Sequence, residues 1–249
     1  MSPDDRFVPG GAALSARTAA VWSVLYGELG RRPGAELSIV DVGGGTGGFA
    51  VPLAQLGHVV TVVDPSPDAL ATLDRRAQTA DVADRIRAIQ GDTDTLLDLV
   101  APDSADLVLC HSLLEVVDDP ERTLRRVAAV LRAGGCLSVL VANRAAAVLA
   151  RALGGHFAEA QRALADPEGR WGDGDGSTRR FDTGRILAML DGVGLSVEQL
   201  HGVRVVADLV PGAVADGAGE SLVDVELALA AVSPYRDIAT QLHVLARKP

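Results

Sequence analysis

The stretch Leu37-Ser38-Ile39-Val40 runs directly into Asp41-Val42-Gly43-Gly44-Gly45-Thr46-Gly47-Gly48, and this junction restricts the possible folds more than any other segment of the 249-residue chain. Five glycines in six positions carry a large conformational entropy cost, which a plain turn has no need of. A strand that ends in an acid and turns through glycines into a helix leaves its backbone N–H groups bare, so a ligand can approach the main chain closely. The junction predicts an α/β chain with a nucleotide-sized socket at the carboxyl end of its first strand.

Two ligand classes compete for that socket, beside the plainer reading of a tight strand-to-helix turn with no ligand. Gly43, Gly45 and Gly48 satisfy the G-x-G-x-x-G spacing of a dinucleotide fingerprint. A pyrophosphate there would lie close to the Asp41 carboxylate, and two anions in a partly dry site repel. S-adenosylmethionine has an ammonium and a sulfonium but no phosphate, so the same carboxylate attracts it. Asp41 separates the two classes.

Apolar runs of strand length alternate with amphipathic stretches of helix length, the pattern of a mostly parallel sheet with helices on both faces. A helix is predicted from about Ala12 to Leu29. Strands follow near 37–42, 58–64, 86–90, 106–111 and 136–142, with helices near 48–56, 67–80, 93–100 and 121–132. The pair Gly134-Gly135 reads as the stop of the last of these helices. About 40 residues after Asn143 then break the rhythm, with two short helical pieces and an acid- and glycine-rich segment from Asp166 to Ser177. An insertion at this point lies above the carboxyl ends of the strands, where ligands bind, and reads as a lid; a surface loop is the alternative. A helix from Asp182, a strand from about Leu195, a helix near 221–232 and a strand His243–Arg247 complete the pattern. The expected organisation is a single domain over 1–249: an N-terminal helical segment 1–36, a ligand-binding half 37–142, a lid 143–181 and the C-terminal half of the sheet 182–249.

Hydrophobic residues make up 48% of the chain, enough for one large core. A net charge of −10 works against sequence-independent binding of polyanions. Lys248 is the only lysine, which reads as coding bias. Apolar runs are interrupted before about 18 residues, and Met1-Ser2-Pro3-Asp4-Asp5 has no basic region followed by an apolar one, so a cytoplasmic location is expected. Cys110 and Cys136 lie in apolar strand-like runs and read as buried free thiols, and no metal-ligand spacing is seen.

The motifs in order resemble the class I S-adenosylmethionine-dependent methyltransferases. The Asp-x-Gly-x-Gly-x-Gly junction, an acid closing strand two, Gly91-Asp92 after strand three, Cys110-His111-Ser112-Leu113-Leu114-Glu115 at strand four and Leu131-Arg132-Ala133-Gly134-Gly135-Cys136 before strand five carry the likeness, with Ala133 where the family has proline. The resemblance implies a seven-stranded sheet with an antiparallel last strand, and S-adenosylmethionine as cofactor. Gly43, Gly44 and Gly45 would line the methyl donor beside Asp41. Asp64, 23 positions beyond Asp41, would accept both ribose hydroxyls, with Pro65 adjacent; a helix cap or Asx-turn is the structural alternative. Asp92, with Thr93, would meet the adenine amino group, or else cap the next helix. His111 would lie by the methionine end of the cofactor, as a base, a hydrogen-bond partner or packing. Arg17, on the N-terminal helix, would meet the cofactor carboxylate, or else be an exposed helix arginine.

The second half is similar to the bacterial tRNA 5-carboxymethoxyuridine methyltransferases, through Leu113 to Pro120, Asn143, Gly202-Val203-Arg204-Val205, Ser233-Pro234-Tyr235 and the ending His243 to Pro249. That likeness implies methyl transfer to the carboxylate of a modified wobble uridine. A carboxylate is ionised at pH 7 and attacks the sulfonium methyl without a general base, so positioning and desolvation suffice. Arg204 and Arg144 are candidates to hold it; ordinary surface arginines are the alternative. The segment matching the family's lysine-rich stretch is here acidic and glycine-rich, with Arg170, Arg179 and Arg180 its only basic residues, and only Trp171, Phe157, Phe181 and Tyr235 could stack a flipped base. A small carboxylate, hydroxyl or amine acceptor is therefore the alternative to tRNA. A nicotinamide dehydrogenase would replace Asp41 with an apolar residue, and a silent binding module would be expected to lose Asp41 or Asp64.

Overall fold

The computed structural model describes residues 15–176 and 179–249. Five parallel strands come first: β1 (Ser38–Val42), β2 (Val59–Asp64), β3 (Ile86–Gln90), β4 (Ala105–His111) and β5 (Leu131–Ala142). They are joined by α2 (Ala50–Gln55), α3 (Pro67–Thr79), α4 (Leu96–Leu99) and α5 (Pro120–Val130), and preceded by α1 (Ala19–Leu29). After β5 come α6 (Arg144–Leu153), α7 (Phe157–Ala165), α8 (Thr183–Gly192), β6 (Ser196–Val203), α9 (Gly212–Ala218), α10 (Glu220–Ala230) and β7 (Gln241–Arg247). The strand order is β3-β2-β1-β4-β5-β7-β6, with β7 antiparallel to both of its neighbours.

Both faces of this sheet are buried, so alternate residues of one strand enter different layers. Val40, Val42, Val108 and Cys110 pack with Leu124, Val127, Ile186 and Leu190 of α5 and α8. Ile39, Leu107 and Leu109 face Val21, Leu25, Leu53 and Leu73 of α1, α2 and α3. Helix starts follow local chemistry. Ser66 caps α3 by accepting from the Ala69 N–H at 3.2 Å, and Asp119 caps α5 through the Arg122 N–H at 2.9 Å, each ahead of a proline at the first helical position.

Three expectations are corrected. Helix α1 begins at Ala19; Arg17 lies in the turn before it, and Ala12 to Leu14 fall outside the described residues. Helix α5 stops at Val130, because Leu131 is already extended and pairs with Ala105, so Gly134-Gly135 lies within β5. A Cβ on Gly135 would stand 2.9 Å from the Ala105 carbonyl, which is a sheet constraint and no helix cap. Helix α9 was also unforeseen. Cys110 and Cys136 are buried free thiols, as expected. Among the described residues no helix is long and apolar enough to cross a membrane.

Candidate active site

The two-residue period of the strands decides which polar side chains meet. Asp41 on β1 and His111 on β4 share the parity of Ile39 and Leu109, and therefore the face under α1–α3. Ser138, between Cys136 and Leu140 on β5, and His243, two before Leu245 on β7, lie on the same face. Their strands are neighbours.

Asp41 is 3% exposed and lies directly beneath Gly44, where a Cβ would stand 2.5 Å from its carboxylate. Only glycine permits that approach. Gly43, in the left-handed region at φ +74°, donates to the Val63 carbonyl at 2.8 Å and ties the loop to β2. Burial, and then the nearby Asp64 carboxylate, push the Asp41 carboxyl up to about 7. Asp64 accepts from the Gly45 N–H through Oδ2 and from the Ser66 N–H through Oδ1, both at 2.9 Å. Each of its oxygens keeps a lone pair, so a diol can still bind there. Pro65 follows exposed.

Asp92 is engaged in a local turn just ahead of α4, whose N-cap position is Thr95. Its Oδ1 accepts from the Asp94 and Thr95 N–H groups at 2.9 Å and from Thr95 Oγ at 3.0 Å. The Thr95 bonds hold its carboxyl below the usual range. The Thr93 carbonyl accepts from Arg126.

His111 bonds through Nε2 to Ser138 Oγ at 2.8 Å, and the same hydroxyl meets His243 Nε2 at 2.8 Å. Phe49, just after the glycine loop, sets its ring edge-on to His111 with centroids 4.7 Å apart. Burial lowers the His111 pKa to about 3, so the ring is neutral at physiological pH.

Arg17 and Arg204 converge on one carboxylate, Asp208, at 3.2 and 2.5 Å. Arg204 sits in the left-handed region at φ +61°, uncommon for a residue with a side chain, and its Nε is buried without a partner among the described residues. The segment is fixed from beneath by α10, where the fully buried Glu226 accepts from the N–H groups of Val205, Val206 and Ala207 at 2.9, 2.7 and 2.5 Å.

Arg144 is held elsewhere, by Asp182 Oδ2 at 2.6 Å and the Asp166 carbonyl at 3.3 Å, which ties α6 to the cap of α8. In the same insertion the guanidinium groups of Arg151 and Arg180 stand 3.9 and 3.8 Å over the Trp171 ring. Arg180 also pairs with Asp175, and Arg179 with Glu168. Ser177 lies outside the described residues. Phe181 is fully buried, Phe157 is 68% exposed and Tyr235 46%. Glu28, Cys136 and Glu198 bring three ligand atoms within 4.8 Å of one another, but Arg247 pairs with both carboxylates.

The structure thus brings Asp41, Gly43–Gly45, Asp64 and His111 to one end of the sheet, joins Arg17 to Arg204, and leaves Arg144 and Asp92 in local ties. Sequence reasoning missed Ser138, His243, Asp208 and Glu226. The signal for three of them was a polar residue in an apolar run: Ser138 and His243 within core strands, and Glu226 in a helix reading Leu222-Val223-Asp224-Val225-Glu226-Leu227-Ala228-Leu229. Asp208 had none.

A sheet ordered 3-2-1-4-5-7-6 with a reversed β7, and an acid-to-glycine junction closing β1, defines the class I methyltransferase architecture. Residues 40–139 match the family model of the methyltransferase domain. The tRNA 5-carboxymethoxyuridine methyltransferase of Escherichia coli (strain K12) is 28% identical over 94% of this chain and 88% of its own. A ubiquinone biosynthesis O-methyltransferase of Xanthomonas campestris is 35% identical over 49% of each. In fold, the geranyl diphosphate C-methyltransferase of Streptomyces coelicolor A3(2), solved with S-adenosyl-L-homocysteine, covers 93% of this chain and 76% of its own at a TM-score of 0.62 and 16% identity. The protein is an S-adenosylmethionine-dependent methyltransferase. The cradle over Gly44, with a carboxylate beneath it and Asp64 beside it, fits that cationic nucleoside and would repel a pyrophosphate.

Proposed function

We propose that this enzyme esterifies the carboxylate of a carboxymethoxyuridine in tRNA. The single observation that carries the reading is Arg204, whose Nε is buried without a partner among the described residues while Asp208 holds its Nη2, which leaves one donor for a carboxylate, in the segment where the end-to-end similarity to the tRNA enzyme continues. Gly43, Gly44 and Gly45 would admit the methyl donor, with Asp41 facing its positive charge, Asp64 its ribose and Arg17 its carboxylate. The donor supplies an electrophilic methyl. A carboxylate oxygen of the acceptor forms the new C–O bond as the S–CH3 bond breaks, S-adenosylhomocysteine leaves, and no proton moves. Opposite charges neutralise along this path, so a site that excludes water favours it. The whole chain would act as one unit in the cytoplasm, with 143–181 as the lid.

A second reading, a small-molecule acceptor, is favoured by the insertion itself. Arg144, Arg151, Arg179 and Arg180 are each paired with an acid, and Trp171 is already covered, so this surface offers few phosphate contacts or stacking platforms. The test incubates the enzyme with labelled S-adenosylmethionine and tRNA from a strain lacking the gene, then weighs the wobble nucleosides. A new methyl ester is expected. Donor binding by calorimetry with no ester formed would exclude tRNA and leave the small acceptor.

A further inference from the structure

Ser138 and His243 are both 0% exposed, and neither belongs to the glycine loop. Their hydrogen bonds nevertheless carry information to His111. A hydroxyl has one proton and two acceptor lone pairs. Ser138 Oγ has two partners among the described residues, His111 Nε2 and His243 Nε2, each at 2.8 Å. With no other acceptor for its proton among the described residues, the hydroxyl donates to one ring, and the other ring then donates its own Nε2–H to the oxygen. The two histidines are thereby locked into opposite tautomers. One carries its proton on Nε2 with a bare Nδ1, and the other carries it on Nδ1.

Both Nδ1 atoms are buried and have no partner among the described residues. A bare nitrogen tolerates that position, whereas an orphaned N–H costs the desolvation of a donor. Besides His111, whose ring centroid is 6.1 Å away, His243 has the His201 ring at 6.3 Å, and its own Nδ1 meets no acceptor among the described residues. His111 lies at the open end of β4, edge-on to Phe49 beside the glycine loop. Of the two rings, His111 is the one at a strand end beside the glycine loop.

We propose that Ser138 and His243 are positioning residues that place the ring proton on His111 Nδ1, so that this nitrogen donates a hydrogen bond to an oxygen in the amino-acid part of the bound methyl donor. In that arrangement Ser138 Oγ–H donates to His111 Nε2, His243 Nε2–H donates to Ser138 Oγ, and the bare Nδ1 lies at His243 in the core. His111 then works as a fixed neutral donor; its low pKa agrees with that role and not with proton abstraction. The inference rests on the cofactor site described above.

The test is 15N-edited NMR on protein labelled at its five histidines, free and saturated with S-adenosylhomocysteine, with 5′-methylthioadenosine, which lacks the amino-acid part, as control. His111 and His243 should be opposite tautomers in the free protein. S-adenosylhomocysteine, and not methylthioadenosine, should drive His111 fully to the Nδ1–H form. Ser138→Ala should uncouple the two rings and weaken S-adenosylhomocysteine about fivefold, the worth of one neutral hydrogen bond, and Ser138→Thr should restore both. Equal tautomers in the free protein, opposite tautomers persisting in Ser138→Ala, or a His111 that carries its proton on Nε2 in the S-adenosylhomocysteine complex would overturn the proposal. Absence of S-adenosylhomocysteine binding by calorimetry would instead overturn the assigned cofactor site, while the free-protein spectra still decide the relay.

Discussion

Asp41 meets two opposite demands. Beneath Gly44 its carboxylate is buried beside Asp64, which destabilises its charge; a cationic methyl donor reverses that. Its folded pKa of about 7 lies above the usual 3.8, so between these values the folded state holds a proton that the unfolded chain has lost. Stability from this group therefore falls as pH rises from about 4 to 7, and binding of the donor releases the proton. Affinity for S-adenosylmethionine should rise with pH through about 7 and level off above it, with proton uptake by the buffer visible in calorimetry. Asp41→Asn should stabilise the free protein at pH 8 by about 1–3 kcal/mol in urea titrations and weaken the donor at least tenfold. A variant that loses stability and keeps affinity would contradict this account. Asp41, the glycines and Asp64 were legible because a strand end and its turn are local in sequence. Asp92 and Arg144 were legible as residue types only, since the partners that occupy them, Thr95 and Asp182, were decided by a competing local turn and by the fold of the insertion against α8.

At the scale of elements, α10 acts through one side chain. Glu226 gathers three successive N–H groups and so holds the left-handed turn at Arg204 together with Asp208. Glu226→Ala would leave three donors without a partner in a dry interior and should cost about 3 kcal/mol in urea denaturation, with Glu226→Gln recovering part. If unfolding is unchanged, water replaces the carboxylate and the segment does not depend on α10. Element identity was readable from period and punctuation, as at Pro67, Pro120 and Asp182, where prolines or caps mark helix starts. The end of α5 was misread because Gly134-Gly135 is good helix-stopping chemistry, and only the pairing of Leu131 with Ala105 shows that the chain had already joined the sheet.

For the molecule as a whole, Arg247 on β7 closes the far end of the sheet. It pairs with Glu28 of α1 and Glu198 of β6 and donates to the Gly134 carbonyl, linking segments separated by as many as 219 positions. The two carboxylates hold its guanidinium well above the usual range. Arg247→Ala should leave the buried Glu28 with only the more exposed Arg31, at 3.5 Å, and cost about 3 kcal/mol, read as a fall in Tm of roughly 6–12 °C. A loss below about 1 kcal/mol would show that solvent already screens the cluster. Sequence alone determined the α/β class, the socket at β1 and the cationic character of its ligand, because each follows from residues adjacent in the chain. Tertiary structure alone decided that Ser138 and His243 reach His111, that Arg17 and Arg204 share Asp208, and that Arg144, Arg151, Arg179 and Arg180 of the insertion are already paired with acids. Those contacts depend on strand order, register and pleat parity, which bring distant residues within hydrogen-bond reach and leave no trace in local sequence.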